Sequence, residues 1–180
     1  MEKQIKEQRV KIDGLAALVK DLKPLPEENY LKKDTESAKY AHYNSKEIDE
    51  CIDCLLLSKA WLGKTLEYIG TESPYKSDYK TKEDIVPTTD VNFAPEMLAG
   101  YEENTPHIEK VQYLRAEIEK LVNFVLNLDL SKIEKNITPD EWLETKEVKQ
   151  IMHTRNKSKE YLIEAKFWLG FEISRIRESK

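Results

Sequence analysis

Residues 48–69 read Ile48-Asp49-Glu50-Cys51-Ile52-Asp53-Cys54-Leu55-Leu56-Leu57-Ser58-Lys59-Ala60-Trp61-Leu62-Gly63-Lys64-Thr65-Leu66-Glu67-Tyr68-Ile69. Positions 48, 52, 55, 59, 62, 66 and 69 step alternately by four and three, and all but Lys59 are Ile or Leu. That period keeps one stripe of a helix apolar over six turns. Ser45 is a candidate N-cap and Gly70 a candidate C-terminal stop, so a helix is predicted from about Ser45 to Ile69.

Working outward, the segment before it carries Ile5, Arg9, Ile12, Leu15, Val19 and Leu22 at helical spacing, stopped by Pro24 and Pro26. Residues 24–44 are polar, Tyr-rich and of mixed character. On the other side, residues 71–106 hold Pro74, Pro87, Pro95 and Pro106 without apolar periodicity. A connection of that length is either functional or disordered. A third helix is predicted from the stripe Ile108, Val111, Leu114, Ile118, Leu121, Val122, Val125 and Leu128. Thr138-Pro139-Asp140-Glu141 supplies a capped helix start. The last helix carries Leu162, Leu169, Ile173 and Ile176, with a break expected around Thr154–Lys157. No strand is predicted, and the fold class is all-α.

Lys59-Ala60-Trp61-Leu62-Gly63 returns as Lys166-Phe167-Trp168-Leu169-Gly170, 107 residues later. Leu55, Leu66 and Ile69 match Leu162, Ile173 and Ile176 at the same offset. Ile12, Leu15, Val19 and Leu22 match Ile118, Leu121, Val125 and Leu128 at an offset of 106. A duplicated helical hairpin accounts for both series. The expectation is one domain over 1–180: a first hairpin at 1–70, a Pro/Tyr-rich connection at 71–106 and a second hairpin at 107–180. Two such hairpins pack as a four-helix bundle with a pseudo-two-fold axis, bringing the Trp helices together.

The chain has 180 residues and a net charge of −5, with 35% charged and 39% hydrophobic residues. Five Gly and seven Pro exclude collagen-like and low-complexity classes. No run of about 18 apolar residues is present, so no membrane span is expected. Met1-Glu2-Lys3-Gln4 lacks the apolar core of a secretory signal, so a cytoplasmic protein is expected. Residues 146–180 hold nine Lys/Arg and five acids, a local +4 against −9 for the remainder. This balance disfavours DNA or RNA polymers and still allows a pocket for a small anion.

Cys51 and Cys54 sit one helical turn apart. They lack the two further ligands of a zinc site and the βαβ context of a redox motif, so they are read as buried thiols. Glu47 and Glu50 give half of the paired-carboxylate motif of helical nucleotide pyrophosphatases, and the second half is missing. Without a phosphate-binding Gly loop or a nucleophile motif, no enzyme activity and no cofactor are expected.

Lys59 and Lys166 interrupt the apolar seam, with Gly63 and Gly170 one turn further on. One reading is a close helix crossing past which Lys extends outward. The other is a cation beside an open space, with Trp61 or Trp168 alongside to stack a base. Tyr75, Lys76, Thr88 and Thr89 in the connection add groups that stack bases, meet phosphate and read ribose or base edges.

The stretch Ser158-Lys159-Glu160-Tyr161-Leu162-Ile163-Glu164-Ala165-Lys166-Phe167-Trp168 resembles the C-terminal helix of the phage anti-CBASS and Thoeris anti-defence hairpin family. The first copy matches less closely and has Leu57 in place of the Glu. The resemblance covers about 20 residues strongly and none of 71–106. It implies a small helical homo-oligomer that acts as a sponge. Such a protein sequesters a cyclic di- or oligonucleotide, or a cyclic ADP-ribose-type signal, without cleaving it, in the cytoplasm of the host cell. The competing expectation is a helical protein–protein interaction or regulatory module with no small-molecule ligand.

Overall fold

The computed structural model of the chain describes residues 1–23, 46–70, 106–128 and 146–178. Residues 24–45, residues 71–105 and the helix start at 138–141 lie outside the described residues. Four helices are present: α1 (Glu2–Lys20), α2 (Lys46–Tyr68), α3 (His107–Leu126) and α4 (Lys146–Glu178). Among the described residues there is no strand, and the protein is all-α. No helix among them is long and apolar enough to cross a membrane.

Local chemistry sets the helix ends. The last turn of α1 closes when the Asp21 and Leu22 amides donate to Ala17 and Val19, just ahead of Pro24. Gly70 takes a φ of +83°, the left-handed conformation that ends α2, and its amide donates to the Glu67 carbonyl. Pro106 caps α3, and its carbonyl accepts the Glu109 and Lys110 amides at 2.9 and 3.1 Å. Proline suits this place because the amide it lacks would have no helical partner there.

The break expected at Thr154–Lys157 is absent: α4 runs unbroken for 33 residues. The polar residues there are interior hydroxyls. Ser158 Oγ meets Ser58 Oγ of α2 at 2.8 Å, and Thr154 Oγ1 meets Thr65 Oγ1 at 2.9 Å. All four side chains are buried. Thr154 and Thr65 Oγ1 also lie 3.0 and 3.1 Å from the carbonyls of Ile151 and Trp61, so one hydroxyl donates to its carbonyl and accepts from the other. Hydroxyls that find a cross-helix or backbone partner stay in a helix without breaking it.

Each hairpin is antiparallel. In the first, Asp13 of α1 meets Lys59 of α2, and Lys23 meets Asp49. In the second, Glu119 of α3 meets Lys166 of α4, and His107 meets Glu172. The hairpins join along α2 and α4, which share the most extensive interface, while α1 also touches α3 and closes the bundle. Along that seam residue 47 meets 175, 58 meets 158, and 65 meets 154, so α2 and α4 are antiparallel and centred near Leu55 and Leu162. Those two leucines are repeat equivalents, and each is 0% exposed. The pseudo-two-fold duplication is therefore a property of the fold. Leu15, Leu62, Leu66, Leu114, Ile118 and Leu169 fill the core around them. Burying each stabilises the bundle by about 2 kcal/mol.

Candidate functional site

The two seam lysines face their hairpin partners. Lys59 Nζ donates to both carboxylate oxygens of Asp13 at 2.6 Å, with both side chains mostly buried. Lys166 Nζ donates to Glu119. Asp13 and Glu119 are equivalent at the 106-residue offset, so each hairpin carries the same interhelix ion pair. Arg9 and Arg115 are equivalent at that offset too. The space beside Gly170 is not open: a Cβ there would stand 3.5 Å from Arg115 Nη2 and 3.6 Å from its Cζ, so the guanidinium lies over the glycine. Gly63 is buried within α2. Lys59, Lys166 and Gly170 thus belong to the helix contacts within each hairpin. Reading the two first helices for charged as well as apolar matches would have found Asp13, Glu119 and both arginines.

Trp61 and Trp168 diverge. Trp168 packs at 5.7 Å against Phe171, tilted by 60°. Trp61 meets His153 of α4 edge-on, with ring centroids 5.7 Å apart. That contact marks an open groove of about 920 Å³ between the C-terminal half of α2 and the N-terminal end of α4. Among the described residues, α2 lines it with Leu57, Ala60, Trp61, Lys64 and Tyr68, and α4 with Lys146, Lys149, Gln150, His153 and Thr154. Each set is one helix stripe, with its members three, four and seven residues on from Leu57 or Lys146, and then eleven or eight.

The groove's chemistry is one-sided. Lys64, Lys146 and Lys149 contribute three cations, and no described lining residue is acidic. Lys64 donates at 2.6 Å to Glu67, an i,i+3 pair on the solvent side. Such a pair is worth well under about 1 kcal/mol, so an arriving anion can displace it. Trp61, Tyr68 and His153 supply three flat rings, and the Gln150 amide offers a donor and an acceptor. Of the six described residues among the ten singled out from the sequence, Trp61 alone lines the groove. Tyr75, Lys76, Thr88 and Thr89 lie outside the described residues. Lys64, Tyr68, Lys146, Lys149, Gln150 and His153 were not anticipated. Their helical spacing is visible in the sequence, but which stripe of α2 faces which stripe of α4 depends on how the helices cross.

The opposite end of the seam is closed by charge. Arg175 donates to Glu47 of α2 at 2.7 Å and to Glu172 at 2.8 Å, and Glu172 contacts His107 Nε2 at 3.2 Å. Glu172 is 5% exposed and so depends on these partners. Cys51 and Cys54 are free and buried. Burial pushes both thiols up, Cys54 to about 12, with Glu164, Glu50 and Asp53 adding to the shift. Neither is a nucleophile near neutrality. Among the described residues, no group of three or more His, Cys, Asp or Glu side chains is placed to hold a metal ion.

No family model, curated protein or solved structure matches the chain. The functional reading therefore rests on the groove and on the chain's own residues.

Proposed function

We propose that the chain binds a small cyclic nucleotide signal and holds it without cleaving it, in the manner of a phage anti-defence sponge. The observation that carries this reading is the groove between α2 and α4, where Trp61, Tyr68 and His153 are interleaved with Lys64, Lys146 and Lys149 over one open surface. Aromatic rings stack bases for about 1–3 kcal/mol each, and lysines meet the phosphates. The resemblance of residues 158–168 to the anti-CBASS and Thoeris anti-defence hairpins points to the same ligand class. On this reading the protein is a cytoplasmic homo-oligomer, and it neither needs a cofactor nor engages nucleic-acid polymers.

Thermal unfolding against a panel of cyclic dinucleotides, cyclic trinucleotides and cyclic ADP-ribose isomers tests this. A ligand at 100 times its dissociation constant adds about 2.7 kcal/mol of stability. Chromatography of the released ligand should return it intact; hydrolysis products would overturn the sequestering role. A second reading, a protein-interaction module, is favoured by Phe167 and Phe171, which stand 63% and 58% exposed one turn apart on α4. Stabilisation by no member of the panel would select it.

A further inference from the structure

The duplication gives the groove a built-in comparison. The repeat offset of 107 carries its α2 stripe onto the C-terminal half of α4. Ala60 becomes Phe167, Lys64 becomes Phe171 and Leu57 becomes Glu164, while the tryptophan is kept. A small residue is replaced by a ring that stands 63% exposed, a cation by a ring that packs on Trp168, and an apolar side chain by an anion. On the α4 wall, His153 corresponds to Lys46, and Thr154 to Glu47, which is held by Arg175. Along this stripe Glu164 and Phe171 shift the charge by two units against an anion, and Arg175 in place of Tyr68 restores one that Glu47 and Glu172 already hold, while the floor beside the tryptophan rises by a phenyl group.

We propose that each chain carries one anion-accepting face on its α2–α4 seam, not two, and that Ala60 and Lys64 are what distinguish it from its duplicate. This rests on the groove reading for its ligand and on the repeat for its asymmetry. The physical reason is local potential: lysines around Trp61 concentrate small anions there, whereas Glu164 and the phenylalanines around Trp168 do not.

Iodide quenching of single-tryptophan chains tests the asymmetry without assuming a nucleotide. The chain has three tryptophans, so W142F/W168F reports Trp61 and W61F/W142F reports Trp168. Normalised to neutral acrylamide, iodide should quench Trp61 at least about twice as efficiently as Trp168 at low salt, and the difference should shrink at 1 M ionic strength. Adding A60F/K64F to the Trp61 reporter should lower its ratio to that of Trp168. The same phenylalanines already occupy equivalent helix positions, and circular dichroism checks the helix content. Equal ratios in the two reporters, or a ratio unmoved by A60F/K64F, would overturn the proposal.

Native mass spectrometry with cyclic di-adenosine monophosphate then counts sites in the unaltered chain. One nucleotide per chain, lost in A60F/K64F, supports the proposal, and two per chain overturns it. Iodide asymmetry with no complex for any cyclic nucleotide would support the single anionic face and count against the nucleotide reading alone.

Discussion

In the first hairpin Asp13 grips Lys59 across α1 and α2; in the second Glu119 grips Lys166 across α3 and α4 at the equivalent place. The contacts inside each hairpin have been kept through the duplication. The two ends of the α2–α4 seam have not. At one end Thr65 and Thr154 pair below a groove of lysines and rings. At the other, Glu47, Arg175, Glu172 and His107 form a charged clasp beside an exposed aromatic stripe. Interactions that hold a hairpin together tolerate little change, because removing one partner strands the other. Solvent-facing stripes carry no such constraint and are where the copies have specialised.

The comparison breaks most severely at its centre. Leu55→Ala and Leu162→Ala should each lower unfolding free energy by about 3 kcal/mol in urea titrations. The two losses should agree within about 1 kcal/mol, since both residues are 0% exposed and related by the repeat. A wide disparity would mean that the seam is not pseudo-symmetric there.

Arg175→Ala should cost about 2 kcal/mol, because Glu172 is buried and keeps only His107 as a charge partner among those named above. Tyr68, the residue equivalent to Arg175, is exposed, and Tyr68→Ala should cost under about 1 kcal/mol. Similar losses would contradict specialisation of the two ends.

A smaller effect belongs to the hairpin ion pairs. Asp13→Asn and Glu119→Gln should each cost about 1 kcal/mol. Double-mutant cycles with Lys59→Met and Lys166→Met should give couplings of the same sign in both hairpins. Absence of coupling in either would remove the ion pair as a shared device.

At the small end, Gly170→Ala should be neutral or stabilising by up to about 1 kcal/mol. Its Cβ would meet Arg115 Nη2 at an ordinary 3.5 Å, and alanine favours the helix. Gly170→Leu should destabilise by displacing the guanidinium.

The periodicity of residues 48–69 and the repeat of Trp61 at Trp168 were enough to read four helices and a duplicated hairpin. Both signals are local or linear in the chain. The polar run at Thr154–Ser158 misled because hydroxyls that break an isolated helix are satisfied here by Ser58 and Thr65, a tertiary fact. Lys59 and Lys166 stand out within an apolar seam, but their partners lie 46 and 47 residues away on other helices, beyond the reach of local spacing. The groove was illegible for a related reason. Its two walls are separated by some 80 residues, and only the crossing of α2 and α4 brings Trp61 to His153.

The most direct test follows the indole resonances of Trp61 and Trp168, in a chain with Trp142 replaced by Phe, in a nitrogen–proton correlation spectrum during titration with a cyclic dinucleotide. The account predicts that the Trp61 indole signal shifts and saturates while that of Trp168 stays within its linewidth. In K149E/K64E, a reversal of charge at two groove lysines, the Trp61 shift should vanish. A moving Trp168 signal with Trp61 unchanged would place the ligand at the wrong end of the seam and contradict the account.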